Sequence, residues 1–259
     1  MKKEKYDLIF SCGSFCGVSF ALRNNGLQFE SYPFDWLLNF SPILFAKYLK
    51  NNFTTYFLKE NLVFDSEKTP TDNIAWSVYK DKTNNVEYLH FFEKQLSFDK
   101  NYEILKKKFN KRIDRLLKRI KEAGKILLIY ASKNPEEYDK ILESFNEIEK
   151  IVGSKIDFIF IKLNTVIKSG IINNTTNGNI RTLDMFFDED KNMQSSQKEW
   201  KELLDKYKIS GNFYNKIKDF IFKKIYKPIK RTLINITCIF VFSKEKRHLL
   251  RKKNKIFNE

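Results

Sequence analysis

The chain has 259 residues, 42% of them hydrophobic and 15% aromatic, which is enough to bury a normal core and excludes wholesale disorder. Its net charge of +16 is unevenly spread: from Lys206 onward 16 lysines and arginines stand against Asp219, Glu245 and Glu259, a net of +13, so residues 1–205 carry only +3. A body that binds nucleic acid is therefore not expected, whereas the tail suits an anionic surface. Three cysteines, Cys12, Cys16 and Cys238, make an odd number, and the first two are too close for an ordinary structural disulfide, so a reducing compartment is expected. The opening M-K-K-E-K-Y-D-L-I-F is too briefly apolar for a signal peptide, and no run reaches the ~20 apolar residues of a membrane-spanning helix. A cytoplasmic location follows as the expectation, with peripheral contact to an inner membrane face left to the tail.

Asp7–Ser11 reads as a short strand buried on both faces, Cys12–Ser14 as a small-residue turn, and Gly17–Asn24 as a helix with Cys16 at its mouth and Gly26 as its stop. A thiol in the first turn of a helix faces unpaired backbone N–H groups and the positive end of the helix dipole, which favour thiolate over thiol. The alternative is an ordinary first strand, turn and helix of an α/β sheet with a packed cysteine, and Cys12 at the strand end reads that way. Pro33 marks a rigid turn before a helix over Pro42–Asn51. Asp35, set among Phe34, Trp36, Leu37 and Leu38, is either a helix cap or a placed partner for a cation.

Trp76–Tyr79 and Val86–Phe92 flank the polar K-D-K-T-N-N and read as a β-hairpin, with Val86, Tyr88, His90 and Phe92 on one face. His90 is the only histidine before the tail; it is either a structural strand residue or the base that a reactive thiol needs. Tyr102–Ala123 is a long helix whose lysines and arginines form a solvated face, Arg112 and Arg115 being alternatively placed to bind an anionic group. Gly124 ends it. The strand Lys125–Ala131, the helix Pro135–Val152 and the strand Ile156–Leu163 then spell a parallel pair joined by a right-handed crossover. The fold class expected is α/β: a three-layer body with a mostly parallel sheet plus a β-hairpin. A second hairpin, Val166–Ile172 with Ile180–Phe187 around N-N-T-T-N-G-N, and a helix over Gln197–Tyr207 complete the body.

Composition changes near Ser210 and Gly211, dividing a body of residues 1–210 from a basic amphipathic helical tail of residues 211–259. In the tail Ile217, Phe220, Ile221, Ile225, Ile229 and Leu233 recur at helical spacing among lysines. Such a helix either lies on an anionic membrane surface, through residues 213–255, or forms a lid on the body. There is no P-loop, no G-x-G-x-x-G and no paired-cysteine metal spacing, and with the second histidine, His248, in the tail, no cofactor or metal site is expected.

The block I-F-S-C-G-S-F-C-G-V-S-F-A-L-R-N-N-G-L-Q-F-E-S-Y-P-F-D-W resembles the N-terminal signature of a bacterial family of unknown function catalogued as papain-like cysteine peptidases. The matching positions are Ser11, Gly13 and Cys16, then Gly26 and Leu27, then Ser31, Pro33, Phe34, Asp35 and Trp36. The family's later histidine matches His90 in Y-L-H-F-F, its Arg-rich helix matches Asn110–Arg119, and its final strand matches Lys125–Ser132, so the resemblance covers residues 5–165. The fit to papain itself is poor: Phe10 stands where papain-like enzymes place an oxyanion glutamine, and His90 lies much closer to Cys16 than their ~130–150 residues.

The resemblance implies a cysteine hydrolase acting on an unknown peptide, amide or ester. Cys16 would attack, His90 would take and return the proton, Asp35 would orient the imidazole with Asp99 in reserve, and the backbone N–H groups of Cys16 and Gly17 would receive the oxyanion. A different class remains open: an accessory protein of envelope or surface-glycan assembly, docked on the membrane face through its tail, with no chemistry at Cys16. A transferase using the thiol as an acyl carrier is a third.

Overall fold

The computed structural model describes residues 3–68, 76–133, 138–153, 155–189 and 195–210. The basic tail with Cys238 and His248, and the expected helix start at Pro135, lie outside the described residues. In chain order the elements are β1 (Glu4–Tyr6), β2 (Leu8–Ser11), α1 (Cys16–Asn24), α2 (Pro42–Lys50), β3 (Leu62–Lys68), β4 (Trp76–Asp81), β5 (Glu87–Glu93) and α3 (Phe98–Glu122), followed by β6 (Ile126–Ser132), α4 (Tyr138–Val152), β7 (Ile156–Asn164), β8 (Ile171–Asn177), β9 (Ile180–Phe186), α5 (Gln197–Leu204) and β10 (Tyr207–Ile209).

The body is mixed α/β. Its main sheet has the order β2-β6-β7-β9-β8, with the first four strands parallel and β8 antiparallel at one edge. The period-2 alternation of side chains along a strand divides the apolar residues between two faces. Leu8, Phe10, Ile126, Leu128, Phe158 and Phe160 join one buried cluster with Phe109 and Leu116 of α3 and Phe145 of α4. Ile9, Leu127, Ile129, Ile159 and Ile161 join another with Val18 and Leu22 of α1 and Trp200 and Leu203 of α5. A sheet covered on both faces is why β2, β6 and β7 are almost continuously apolar in sequence.

A second sheet, β3-β4-β5, is antiparallel and includes a strand, β3, that local pattern did not announce because Asp65, Ser66 and Glu67 interrupt it. Aromatic rings fill the cluster beside it: Phe34 stacks on Phe40 at 4.2 Å, and Phe57 lies 4.7 Å from Phe109.

Several boundaries differ from expectation for local physical reasons. The long helix begins one turn early, at Phe98, because Ser97 caps it, its Oγ accepting from the Lys100 N–H at 3.3 Å. Most of N-N-T-T-N-G-N is strand rather than loop: Thr175 and Thr182 pair across β8 and β9 at 2.7 Å, and the left-handed Gly178 makes the turn. The last helix stops at Leu204, so Tyr207 lies in β10, parallel to β1. Among the described residues no helix is long and apolar enough to cross a membrane.

The C-terminal carbonyls of α3 are capped from a distance. Lys155 Nζ donates to Ile120 O at 2.7 Å and to Ala123 O at 2.8 Å. Replacing it, as Lys155→Met, is expected to lower the unfolding free energy by about 1–2 kcal/mol. Urea denaturation would measure this, and a loss of only a few tenths would mean that water satisfies those carbonyls equally well.

Candidate active site

After β2 the chain reverses through two consecutive left-handed residues, Gly13 (φ +80°) and Ser14 (φ +77°), passes an extended Phe15 (φ −157°) and enters α1 at Cys16. Gly13 is required twice over: its φ favours glycine, and a Cβ there would lie 2.6 Å from Phe40 Cβ. The turn is held from outside by the Asn39 N–H, which donates to Ser14 O at 3.1 Å. This places Cys16 at the carboxyl end of a parallel strand and at the first residue of a helix.

Phe15 is the N-cap residue but gives no side-chain cap hydrogen bond. Its ring folds over Gly17, where a Cβ would sit 2.1 Å from the ring edge, and packs edge-on against Phe187 at 5.6 Å. Cys16 is only 5% exposed, and its thiol is pushed up to about 11, first by burial and second by the charge of Asp35. Its own backbone N–H pulls the other way and is outweighed. Lost hydration and the nearby carboxylate of Asp35 thus act against the thiolate that the helix terminus favours. Cys12 is fully buried in the α3-side cluster, and burial pushes its thiol well up, as befits a packed residue.

Asp35 is 0% exposed and is the hub of a buried polar network. Its Oδ1 accepts from Ser19 Oγ at 2.9 Å and Ser11 Oγ at 3.3 Å, and those two hydroxyls lie 2.7 Å apart. Its Oδ2 accepts from Gln28 Nε2 at 2.6 Å, the Tyr32 N–H at 2.9 Å and Arg23 Nη2 at 3.4 Å. Arg23 also donates to Ser31 Oγ at 2.8 Å and lies over the Trp36 ring at 5.6 Å. Of the two sequence-level readings, the partner for a cation describes Asp35; the N-cap of α2 is Ser41.

The arginines of α3 clasp the segment before Asp35. Arg115 Nη1 donates to Ser31 O at 2.9 Å and Arg119 Nε to Glu30 Oε2 at 3.0 Å, while Arg112, on the same face, is buried. Neither a fully solvated face nor an open anion site describes them.

His90 lies on β5, exposed, with its ring edge-on to Trp76 at 6.3 Å. The expected common face of Val86, Tyr88, His90 and Phe92 is broken. The β4–β5 register runs from Ser77 opposite Phe92 to Tyr79 opposite Tyr88, so three residues of β5 oppose Val78 alone. Phe91 is buried there and His90 points out. Asp35 is bonded by Ser11, Ser19, Arg23, Gln28 and the Tyr32 N–H. Both oxygens of Asp35 accept hydrogen bonds within this network, Oδ1 from Ser19 and Oδ2 from Gln28 and the Tyr32 N–H. Asp99, the reserve, sits in the first turn of α3 and pairs with Lys59 at 2.8 Å.

Two backbone links nevertheless join β5 to the thiol's turn. Leu38 and Glu87 exchange N–H···O bonds of 3.2 and 3.1 Å, and Asn39 holds Ser14. Sequence reasoning singled out Ser11 only as a signature position and missed Ser19, Arg23 and Gln28. The available signal was a serine closing an apolar strand and another among Val18, Ala21 and Leu22 on the buried face of α1.

The chain is a mixed α/β protein with a mostly parallel sheet, a cysteine at the mouth of its first helix and a buried carboxylate behind it. The profile of the family described as "Putative papain-like cysteine peptidase (DUF1796)" matches residues 7–166, from the start of β2 to just past β7, and the chain belongs to that family. It is also similar to an uncharacterized protein of Acanthamoeba polyphaga mimivirus, 27% identical over 162 residues that cover 58% of this chain and 71% of the viral protein. No solved structure matches.

Proposed function

We propose that this protein is a cysteine hydrolase that cleaves an amide or ester with Cys16 as nucleophile and His90 as base. The observation that carries the reading is the position of Cys16, first residue of α1 at the carboxyl end of β2, where ligands of parallel α/β sheets gather. Membership of a family described as cysteine peptidases agrees with it.

With the thiol raised to about 11, the resting enzyme holds Cys16 protonated at neutral pH, so the proton must leave as the sulfur attacks. His90 is the one imidazole within the family-matched residues, and its strand is linked to the thiol's turn through Leu38 and Asn39. In the reaction the S–C bond forms while His90 takes the proton, and the carbonyl oxygen is received by the N–H groups of Cys16 and Gly17. Collapse breaks the C–N or C–O bond, and His90 protonates the leaving group. Water then cleaves the thioester, releasing the acid and restoring the thiol.

The test is a panel of activated esters and peptide amides, with mass spectrometry of the protein to find an acyl group on Cys16. Cys16→Ala should lose both turnover and adduct, and His90→Ala should slow turnover by about 10²- to 10⁴-fold. Undiminished hydrolysis by Cys16→Ala would overturn the reading.

A further inference from the structure

We propose that Asp35 is a positioning residue for Cys16, its buried carboxylate tying the strand before the thiol and the helix after it to a single point. The inference rests on the reading of Cys16 as nucleophile and deepens it. Ser11 ends β2, five residues before Cys16, and Ser19 lies three residues after it on α1; both hydroxyls meet on Asp35 Oδ1. The turn that carries the thiol is thus closed at its two ends by one atom. From the other side Gln28, the Tyr32 N–H and Arg23 bind Oδ2 and fix the carboxylate against the loop that Arg115 and Arg119 clasp. Gln28, the Tyr32 N–H, Arg23 and the linked hydroxyls of Ser11 and Ser19 surround a carboxylate with no exposed surface and leave it little freedom to move, and a thiol tied to it inherits that rigidity.

The same carboxylate is the charged group acting on Cys16, and its effect is to keep the proton on sulfur. The charges around Asp35 are Arg23 from α1 and, beyond the loop, Glu30 with Arg115 and Arg119 from α3. The charge reaches the sulfur by proximity alone, whereas placement reaches it only through the ties of Ser11 and Ser19, and the two can be altered separately. A carboxylate that positions and holds the thiol changes both its placement and its titration when altered.

The experiment compares wild type, Asp35→Asn and Ser19→Ala in the full chain, reading iodoacetamide labelling of the Cys16 peptide against pH by mass mapping, with thermal unfolding alongside. Asp35→Asn keeps the shape and removes the charge. Its labelling midpoint should move down, and labelling at pH 8 should rise severalfold, since each unit of thiol pKa changes the thiolate fraction about tenfold. Ser19→Ala keeps the charge and cuts one tie, so acylation of Cys16 by an activated ester should fall while labelling by the small iodoacetamide does not. A folded Asp35→Asn with an unchanged midpoint overturns the proposal. Should Asp35→Asn not fold, Ser19→Ala decides, and acylation and labelling both unchanged from wild type overturn it. A midpoint shift in a protein whose wild type never acylates Cys16 would leave the placement standing and remove the hydrolase reading instead.

Discussion

Carboxamidomethylation of Cys16 at pH 8.5 is expected to run about 10²-fold slower than that of a free thiol, and to climb about tenfold per pH unit toward pH 11. A free thiol is half ionised near pH 8.5, whereas one raised to about 11 keeps less than about 1% as thiolate there, and the thiolate is the reacting species. Burial adds to this, since only 5% of Cys16 is exposed to the reagent. Peptide mapping against glutathione measures the ratio. A rate equal to glutathione at neutral pH would mean that the helix terminus prevails over burial and Asp35. The linkage has a definite sign. The folded state keeps the proton to a higher pH than the unfolded chain, so the contribution to stability is present below the ordinary thiol pKa. It is lost between there and about 11, by about 1.4 kcal/mol per pH unit. Cys16→Ala should flatten that part of the alkaline stability profile.

Gly13→Ala should destabilise the protein by about 2–5 kcal/mol, one of the larger effects available to a single methyl group. Part of the cost is backbone: at φ +80° an alanine Cβ crowds the adjacent carbonyl. The rest is collision with Phe40 Cβ at 2.6 Å and its ring at 3.2 Å. Phe40 cannot retreat, being fully buried and stacked on Phe34 at 4.2 Å and on Tyr48 at 6.1 Å. The chain's remaining response is to shift the turn, which carries Cys16 with it, so labelling of Cys16 should change in whatever fraction stays folded. Chemical denaturation gives the stability, and a loss below about 1 kcal/mol would show that the turn accommodates a side chain.

The two results bear on one short stretch, and it is also where the sequence was most and least informative. Residues 7–16 announced a buried strand, a small-residue turn and a helix with cysteine at its start, because apolar runs and glycine placement are local constraints that the chain states directly. The same holds for β6, α4 and β7, whose strand, helix and strand lengths allow only a parallel crossover. The family signature, from Ser11 to Trp36, was likewise legible as residues in order.

What those residues do for one another was not legible. The sequence offered Asp35 as a cap or an ion partner, and folding made it the meeting point of Ser11, Ser19, Arg23, Gln28 and the Tyr32 N–H. It offered His90 as one of a common strand face, and an irregular register against β4 turned it outward. It offered a helix terminus that favours thiolate, and folding added burial and the charge of Asp35, which push the thiol up. For β2, α1, β6, α4 and β7 element type follows from local periodicity and was set by the sequence alone, whereas β3, most of β8 and β10 depended on strand pairing between distant segments. Ionisation, side-chain direction in an irregular strand and the partners of a buried carboxylate depend on desolvation and contacts between separate elements, and only the tertiary structure decided them.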